Sequence, residues 1–127
     1  MFNYFSEFII NNGGVILLVN IINNTKNQSI IQAGIETLTS FYNMMDLDVY
    51  YESGKAVVIG LATLIKKEDD KLILEDALIA LIYLLNKNKS HFYEMQKWIR
   101  DSGCFSKLSM TLIKLVFLSF IKYFFQT

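Results

Sequence analysis

The stretch LATLIKKEDDKLILEDALIALIYLLN, residues 61–86, decides the fold class. A short apolar run stops at a charged segment, residues 66–71, and leucine and alanine then recur at i, i+3, i+4 and i+7. This spacing places the apolar side chains on one face of a helix. Asp69 or Asp70 can cap that second helix, because a carboxylate accepts hydrogen bonds from its free N–H groups and suits the positive end of its dipole. The stretch predicts a helical hairpin.

The rest of the chain resembles partial copies of this hairpin. Periodicity alone allows residues 15–22 to be a helix or a buried strand, but the sequence has no hairpin-type strand pairing, so an all-α fold is predicted. Residues 44–53 are predicted as a short linker helix that ends at Gly54. The other segments with helical or apolar patterning are residues 1–10, 29–43, 54–65, 91–102, 104–113 and 115–125.

Glycines mark an internal repeat. Gly14, Gly54 and Gly103 each precede an apolar segment, at spacings of 40 and then 49 residues, and Leu38 and Leu81 hold equivalent positions 43 residues apart. A period of about 40–47 residues built from two or three helices is typical of the HEAT and armadillo class. The prediction is one domain, residues 1–127. It is a right-handed α-solenoid of two to three repeats, roughly residues 11–48, 49–90 and a partial 91–127.

Length, composition and charge limit the function classes. The chain has 127 residues, of which 53% are hydrophobic and 19% charged, which predicts a packed domain rather than a disordered chain. Twelve basic and twelve acidic residues cancel and no basic stripe is visible, which argues against a duplex-binding surface. The first twelve residues lack the basic region of a signal peptide, so a reducing cytoplasm or nucleus is expected.

Three segments resemble the signatures of armadillo repeats. NGGVILLVNII (12–22) is similar to the second-helix signature, DALIALIYL (76–84) to the third-helix signature, and WIRDSGC (98–104) to the short first helix. The resemblance covers residues 11–113. Importin-α is the most similar subfamily, since its repeats pair an acidic turn with a helix of this type. The resemblance implies that the third helices line a concave groove that binds a protein partner.

The candidate binding residues lie on one face of each third helix, at i+3 and i+4 spacing. They are Gln32, Glu36, Ser40 and Asn43 in the first repeat, and Glu75, Ile79, Tyr83 and Asn86 in the second. The resemblance implies a ladder that pairs with an extended peptide, with Tyr83 as anchor. The alternative is an ordinary solvated helix face.

Importin-α reads nuclear localisation signals with a tryptophan and an asparagine four residues apart on such helices. This chain has Glu36 and Ser40 at the matching positions of the first repeat, and Ile79 and Tyr83 in the second. Neither tryptophan nor asparagine is kept. The tryptophan face would hold a lysine stem by cation–π contact, so that mode of binding is not expected here.

No constellation of residues predicts catalysis, a cofactor or a metal site. His91 has no second histidine or cysteine at ligand spacing, and the single Cys104 is predicted to be a small buried hydrophobe. Gly13 and Gly14 are not followed by the Lys-Ser/Thr of a phosphate-binding loop. The chain is therefore not predicted to be an enzyme.

Two surface features have both a functional and a plain interpretation. The charged turn at residues 66–71 could dock a partner, but a solvated turn matched to the helix dipole is the commoner case. Trp98, beside Lys97 and Arg100, could make a cation–π or partner contact. The commoner use of such a tryptophan is to pack a short helix against its neighbour.

The apolar segment LIKLVFLSFIKYFF, residues 112–125, is short for a membrane span and contains two lysines, so a core helix is predicted instead. A solenoid that ends in such a segment needs a cover, from another chain, a second copy or more of the same protein. The main hypothesis is a non-catalytic interaction module or scaffold that binds a protein through its third-helix face or its apolar ends. The alternatives are a divergent importin-α-like adaptor that carries basic cargo, and peripheral membrane attachment.

Overall fold

The computed structural model describes residues 2–106, and the regular elements of this range are all helices joined by short turns. The all-α prediction is confirmed for this range, where no strand is found. The six α-helices are α1 (Phe2–Asn11), α2 (Gly14–Asn24), α3 (Gln28–Thr39), α4 (Tyr51–Lys67), α5 (Lys71–Lys87) and α6 (Phe92–Asp101). Three short 3-10 turns lie at Tyr42–Met44, Lys89–His91 and Cys104–Ser106.

The predicted hairpin is formed by α4 and α5. Asp70, not Asp69, caps α5, since its Oδ1 accepts hydrogen bonds from the backbone N–H of Leu72 (3.0 Å) and Ile73 (3.1 Å). Such a cap satisfies N–H groups that have no partner within the helix. Asn27 caps α3 in the same way, so each second helix of a hairpin begins at a polar side chain.

The predicted linker helix at residues 44–53 is wrong. Helix α3 ends at Thr39, a 3-10 turn follows at Tyr42–Met44, and α4 begins at Tyr51 and runs through Gly54. The physical reason is the close packing of Gly54, where a Cβ atom would lie 2.6 Å from Leu47 Cδ2. Gly54 therefore serves a close approach inside the helix and does not interrupt it.

The helices stack as two hairpins and a following helix. Helix α2 pairs with α3 and α4 with α5, while α2 packs on α4 and α3 on α5. Helix α6 and the turn at Cys104–Ser106 pack on α4 as well. Helix α4 thus lies at the centre of the fold, and its apolar residues Val57, Leu64 and Ile65 are fully buried.

Hydrogen bonds between successive hairpins share a sequence spacing. Ten side-chain bonds between distant segments of the described part, several of which are detailed below, connect residues 37 to 44 positions apart. One of them runs from Asn23 Nδ2 to the Gly60 carbonyl (3.1 Å), and another from Gln28 Nε2 to Glu68 Oε1 (3.1 Å). These bonds therefore tie each segment to one that lies about 40 positions further along the chain.

The apolar face predicted for α3 is largely confirmed. Ile31, Ile35 and Leu38 are buried, but Ile30 is 45% exposed because it lies at the edge of that face near the Asn27 cap. The C-terminal segment 112–125 and most of the predicted third repeat lie outside the described residues. Within the described range no single helix is long and apolar enough to cross a membrane; only the bent pair Tyr4–Asn11 and Gly14–Asn24 passes that test, on length and composition alone.

Candidate functional site

A groove lies between α3 and α5, with a volume of about 360 Å³. We call it the α3–α5 groove. Its size is in the range of ordinary ligand pockets. Its walls and floor are formed by Ile35, Glu36, Thr39, Tyr42, Asp76, Ile79, Ala80 and Tyr83.

Five of the eight candidate binding residues are brought together at this groove. Glu36, Ile79 and Tyr83 line it directly. Asn43 lies at its end, where its Oδ1 accepts a hydrogen bond from the Tyr83 hydroxyl (2.5 Å). Gln32 reaches across from α3 and donates from Nε2 to Asp76 Oδ2 on α5 (2.8 Å).

The other three candidates do not line the groove. Ser40 and Glu75 are exposed, and Asn86 is half-buried. The Oδ1 atom of Asn86 is buried without a hydrogen-bond partner. Of the eight candidates, Glu36, Ile79 and Tyr83 are the ones that line the groove.

Sequence reasoning missed five of the eight residues that line the groove, among them Tyr42 and Asp76. A signal for Asp76 exists, because Asp76, Ile79 and Tyr83 lie at i, i+3 and i+7 and so share one helix face. The prediction began that face at Glu75, one position away. Tyr42 carried no such signal, since it lies in a 3-10 turn after α3 rather than in the helix.

Tyr42 is the most unusual group in the groove. It is only 6% exposed, and its buried hydroxyl has no hydrogen-bond partner within residues 2–106. Burial, and then the nearby carboxylate of Asp76, raise the pKa of Tyr42 well above its ordinary value of 10.0, so the hydroxyl stays neutral. Its ring lies 6.0 Å from that of Tyr83, tilted by 31°. The groove is therefore lined by two tyrosine residues, one of which carries a buried hydroxyl without a described partner.

The groove carries negative charge. Glu36 projects from α3 and Asp76 from α5, so the two carboxylates belong to opposite walls. Neither forms an ion pair with any described residue. The ammonium group of Lys87 donates to the backbone carbonyl of Asn43 instead. The groove can therefore accept a positively charged group.

A second polar cluster surrounds His91 at the start of α6. The ring nitrogens contact Asp48 Oδ1 (Nε2, 2.7 Å) and Glu94 Oε1 (Nδ1, 2.9 Å), and the Tyr51 hydroxyl donates to Glu94 Oε2 (2.7 Å). The hydrogen bonds to Asp48 and then to Glu94 raise the pKa of His91 above its usual value, although burial opposes them. Since both nitrogens are engaged, this imidazole is arranged as a link between segments rather than as a base.

The structure near α6 shows the surroundings of Trp98 and Cys104, two residues considered in the sequence analysis. Trp98 packs against α4, with its ring 5.7 Å from that of Tyr51. The cation above it is Lys55 at 5.5 Å, not Lys97 or Arg100. Cys104 is buried, as predicted, at 2% exposure. Among residues 2–106, no group of three or more histidine, cysteine or acidic side chains could hold a metal ion.

None of the family models, curated proteins or solved structures compared with the chain matches it. Its function is therefore inferred from the α3–α5 groove and the exposed surface.

Proposed function

We propose that this chain is a non-catalytic protein-binding module that holds an extended segment of a partner protein in the α3–α5 groove. The observation that carries the proposal is the meeting of Glu36, Ile79 and Tyr83, from two different helices, in one groove. These residues come from the faces that the armadillo resemblance implies for partner binding.

The groove combines apolar and polar surface as peptide-binding sites do. Ile35 and Ala80 are buried beneath it, while Ile79 is 59% exposed. An exposed isoleucine beside two tyrosines offers apolar area that a partner would cover, at about 25 cal/mol per Å². Glu36 and Asp76 form the polar edge of the groove, and hydrogen bonds to their carboxylates would orient a bound segment.

We also propose that the hairpins are successive repeats of an armadillo-like, right-handed solenoid. The stacking of α2 on α4 and of α3 on α5 supports this arrangement. So does the spacing of 37 to 44 residues between hydrogen-bonded positions, which is close to the armadillo period. In such a solenoid, equivalent helices form one continuous binding surface.

Peptide selection tests the binding proposal directly. A displayed library of random peptides is selected on the immobilised chain, and the affinity of the recovered peptides is measured by fluorescence polarisation. Ile79→Asp should weaken binding at least roughly tenfold, because it removes apolar contact from the groove. Leu72→Asp is the matched control, since Leu72 lies on the same helix and is 65% exposed but does not line the groove. Equal affinity of both variants for every peptide would contradict the proposal.

We also propose that a second surface, on α1 and α2, mediates assembly into larger complexes. The helices α1 and α2 expose Phe5 (62%), Phe8 (61%) and Leu17 (61%) at the outer end of the stack. Exposed apolar groups of this number in adjacent helices are typical of contact surfaces between chains. Light scattering across a concentration series tests this: Phe5→Ser with Phe8→Ser should lower the average mass. Tyr93→Ser, at a residue 83% exposed on α6, should leave it unchanged. A concentration-independent monomer for the unaltered chain would rule out self-assembly.

A further inference from the structure

We infer that the α3–α5 groove recognises an arginine side chain, whose guanidinium group lies between Glu36 and Asp76 and donates a hydrogen bond to the Tyr42 hydroxyl oxygen. This inference rests on the proposed function and names the residue that anchors the partner segment. It follows from three properties of the groove: its charge, its unsatisfied hydroxyl and its pair of aromatic rings.

The negative charge of the groove favours a positively charged group from a ligand. Glu36 and Asp76 line the same groove from opposite helices, and neither is paired with a described lysine, arginine or histidine. The neighbouring Gln32 satisfies one oxygen of Asp76 with a neutral amide donor, which leaves its charge in place. A ligand that brought a positive charge would form charge-assisted hydrogen bonds, the stronger kind.

The Tyr42 hydroxyl is the independent sign of a ligand. Buried hydroxyl groups are nearly always hydrogen-bonded, because an unsatisfied one costs roughly 1–3 kcal/mol. Tyr42 is 6% exposed, lines the groove and has no partner for its hydroxyl among the described residues. A donor from a bound ligand would supply the missing bond. The hydroxyl oxygen can accept it while Glu36 and Asp76 hold the charge.

Arginine fits this combination better than lysine. Its planar guanidinium has five N–H donors in a fixed fork and can reach separate acceptors at once, whereas an ammonium acts as a point charge. The guanidinium plane also stacks on aromatic rings, and the rings of Tyr42 and Tyr83 lie together in the groove, 6.0 Å apart. The aliphatic stem of the arginine would cover the exposed part of Ile79.

A small probe tests the anchor without a peptide. N-acetyl-arginine N-methylamide is titrated into the full chain, labelled with nitrogen-15, and backbone amide shifts are followed by NMR. Saturable shifts should appear in α3, α5 and the turn Tyr42–Met44. The citrulline analogue has the same shape but no charge, and it should bind at least roughly tenfold more weakly. Equal shifts from the two probes, or none from either, would overturn the inference.

The affinity of the arginine probe for three variants shows which side chains it contacts. Glu36→Gln should weaken arginine binding roughly tenfold, since it removes one of the two charges from an exposed position. Tyr42→Phe should weaken it roughly threefold to tenfold, because one hydrogen bond is lost while the ring remains. Glu75→Gln is the control: Glu75 is an exposed carboxylate on α5 outside the groove, so its loss should leave the affinity unchanged. A similar loss for Glu36→Gln and Glu75→Gln would indicate general charge attraction and overturn the anchor.

The peptide selection separates this inference from the proposed function. If recovered peptides depend on Ile79 but bind equally well when arginine is replaced by citrulline, the module stands and the arginine anchor is wrong. If no peptide depends on Ile79 while the arginine probe still binds, the groove takes a small cationic ligand and the protein-binding proposal is wrong. If no peptide depends on Ile79 and the arginine probe does not bind, both the protein-binding proposal and the arginine anchor are wrong.

Discussion

The contact of α2 with α4 and the contact of α3 with α5 are two sides of the same boundary between hairpins, yet one is closed and the other open. On the closed side, a Cβ atom at Gly60 would lie 2.2 Å from Val19 Cγ1. On the open side, the Gln32 to Asp76 hydrogen bond spans the helices beside a groove of about 360 Å³. A glycine lets the backbones meet on one side, while polar side chains keep a ligand-sized space on the other.

The largest effect is expected at the end of the open side. Asn88 is buried, accepts a hydrogen bond from Leu47 N–H (3.0 Å), and donates to the carbonyls of Met45 (3.0 Å) and Leu84 (3.0 Å). It fixes the turn that follows Tyr42. Asn88→Ala removes the partners of the Leu47 N–H and the Met45 carbonyl, while the Leu84 carbonyl keeps its bond from the residue 88 backbone N–H. It should lower the free energy of unfolding by about 3 kcal/mol. Urea denaturation measures the change.

The exposed amide of Asn24 provides the control for Asn88. Asn24 Nδ2 donates to the Asn20 carbonyl at 2.7 Å on the surface of α2, where water can replace it. Asn24→Ala should change the free energy of unfolding by less than about 0.5 kcal/mol. If the two variants were equally stable, the Asn88 bonds would not be what holds the groove end in place.

The next largest effect on stability is expected from adding a side-chain atom at the close contact between α2 and α4. Gly60→Ala forces a methyl group against Val19 and should destabilise the fold by about 2 kcal/mol, after allowing for the better helix propensity of alanine. Combining it with Val19→Ala makes room for the methyl group. The double variant should then be more stable than the sum of the single changes by about 1 kcal/mol. Strict additivity in thermal denaturation would show that the two positions do not contact each other.

On the open side, removing a polar atom should stabilise the chain. Tyr42→Phe deletes the unpaired buried hydroxyl and should raise the free energy of unfolding by about 1 kcal/mol in the absence of ligand. Tyr83→Phe deletes a hydroxyl that is bonded to Asn43 and should lower it slightly. A loss of stability in Tyr42→Phe would mean that this hydroxyl is satisfied in the free protein.

The smallest effect concerns the boundary of α4 with α6, which is held partly by charge. The pKa of His91 is raised by Asp48 and Glu94, so the protonated form contributes stability fully below its unfolded value near 6.5, and that contribution is lost as pH rises through the folded pKa. The pKa of Glu94 is lowered by Tyr51 and then by His91, so its contribution is present above about 4.5 and is lost as pH falls through the folded pKa. The contacts of His91 with Asp48 and Glu94 should therefore stabilise the fold most between about pH 4.5 and pH 6.5.

The titration of His91 can be measured without assignment ambiguity. The chain has one histidine, so a single imidazole resonance reports on it. Asp48→Asn should lower its midpoint by removing the stronger hydrogen bond, and Glu94→Gln should lower it less. Asp101→Asn, at an exposed residue at the end of α6 for which no contact with His91 is found, should leave the midpoint unchanged. An unshifted midpoint in Asp48→Asn would contradict the observed pairing.

Local features of this fold could be predicted from the sequence. Helical periodicity and a capping aspartate are properties of neighbouring residues, and they correctly placed the α4–α5 hairpin and narrowed its cap to Asp69 or Asp70, of which Asp70 is the one used. The glycines were harder to interpret. Gly13 does take a left-handed conformation, with φ of 79°, but Gly54 lies within a helix where its partner Leu47 is close. Whether a glycine serves a turn or a close approach depends on the neighbouring element.

The groove could be predicted only in part, because it depends on the register between two helices. Periodicity predicted Glu36 on its face of α3, and Ile79 and Tyr83 on theirs of α5, because each face follows from the spacing within a single helix. It could not show that Asp76 lies opposite Gln32, 44 positions earlier in the chain. Nor could it show that Tyr42 would be buried without a partner, since that depends on how the turn after α3 packs.

The central position of α4 has a consequence for the order in which the chain opens. Its side chains contact α2, α5 and α6, so no local fluctuation can expose its backbone without separating two hairpins. Helix α1 rests on α2 and leaves Phe5 and Phe8 in solvent. Amide hydrogens of α4 should therefore exchange with solvent only through global unfolding, while those of α1 exchange through local fraying. Hydrogen exchange would divide the molecule into an early-opening end and a late-opening centre.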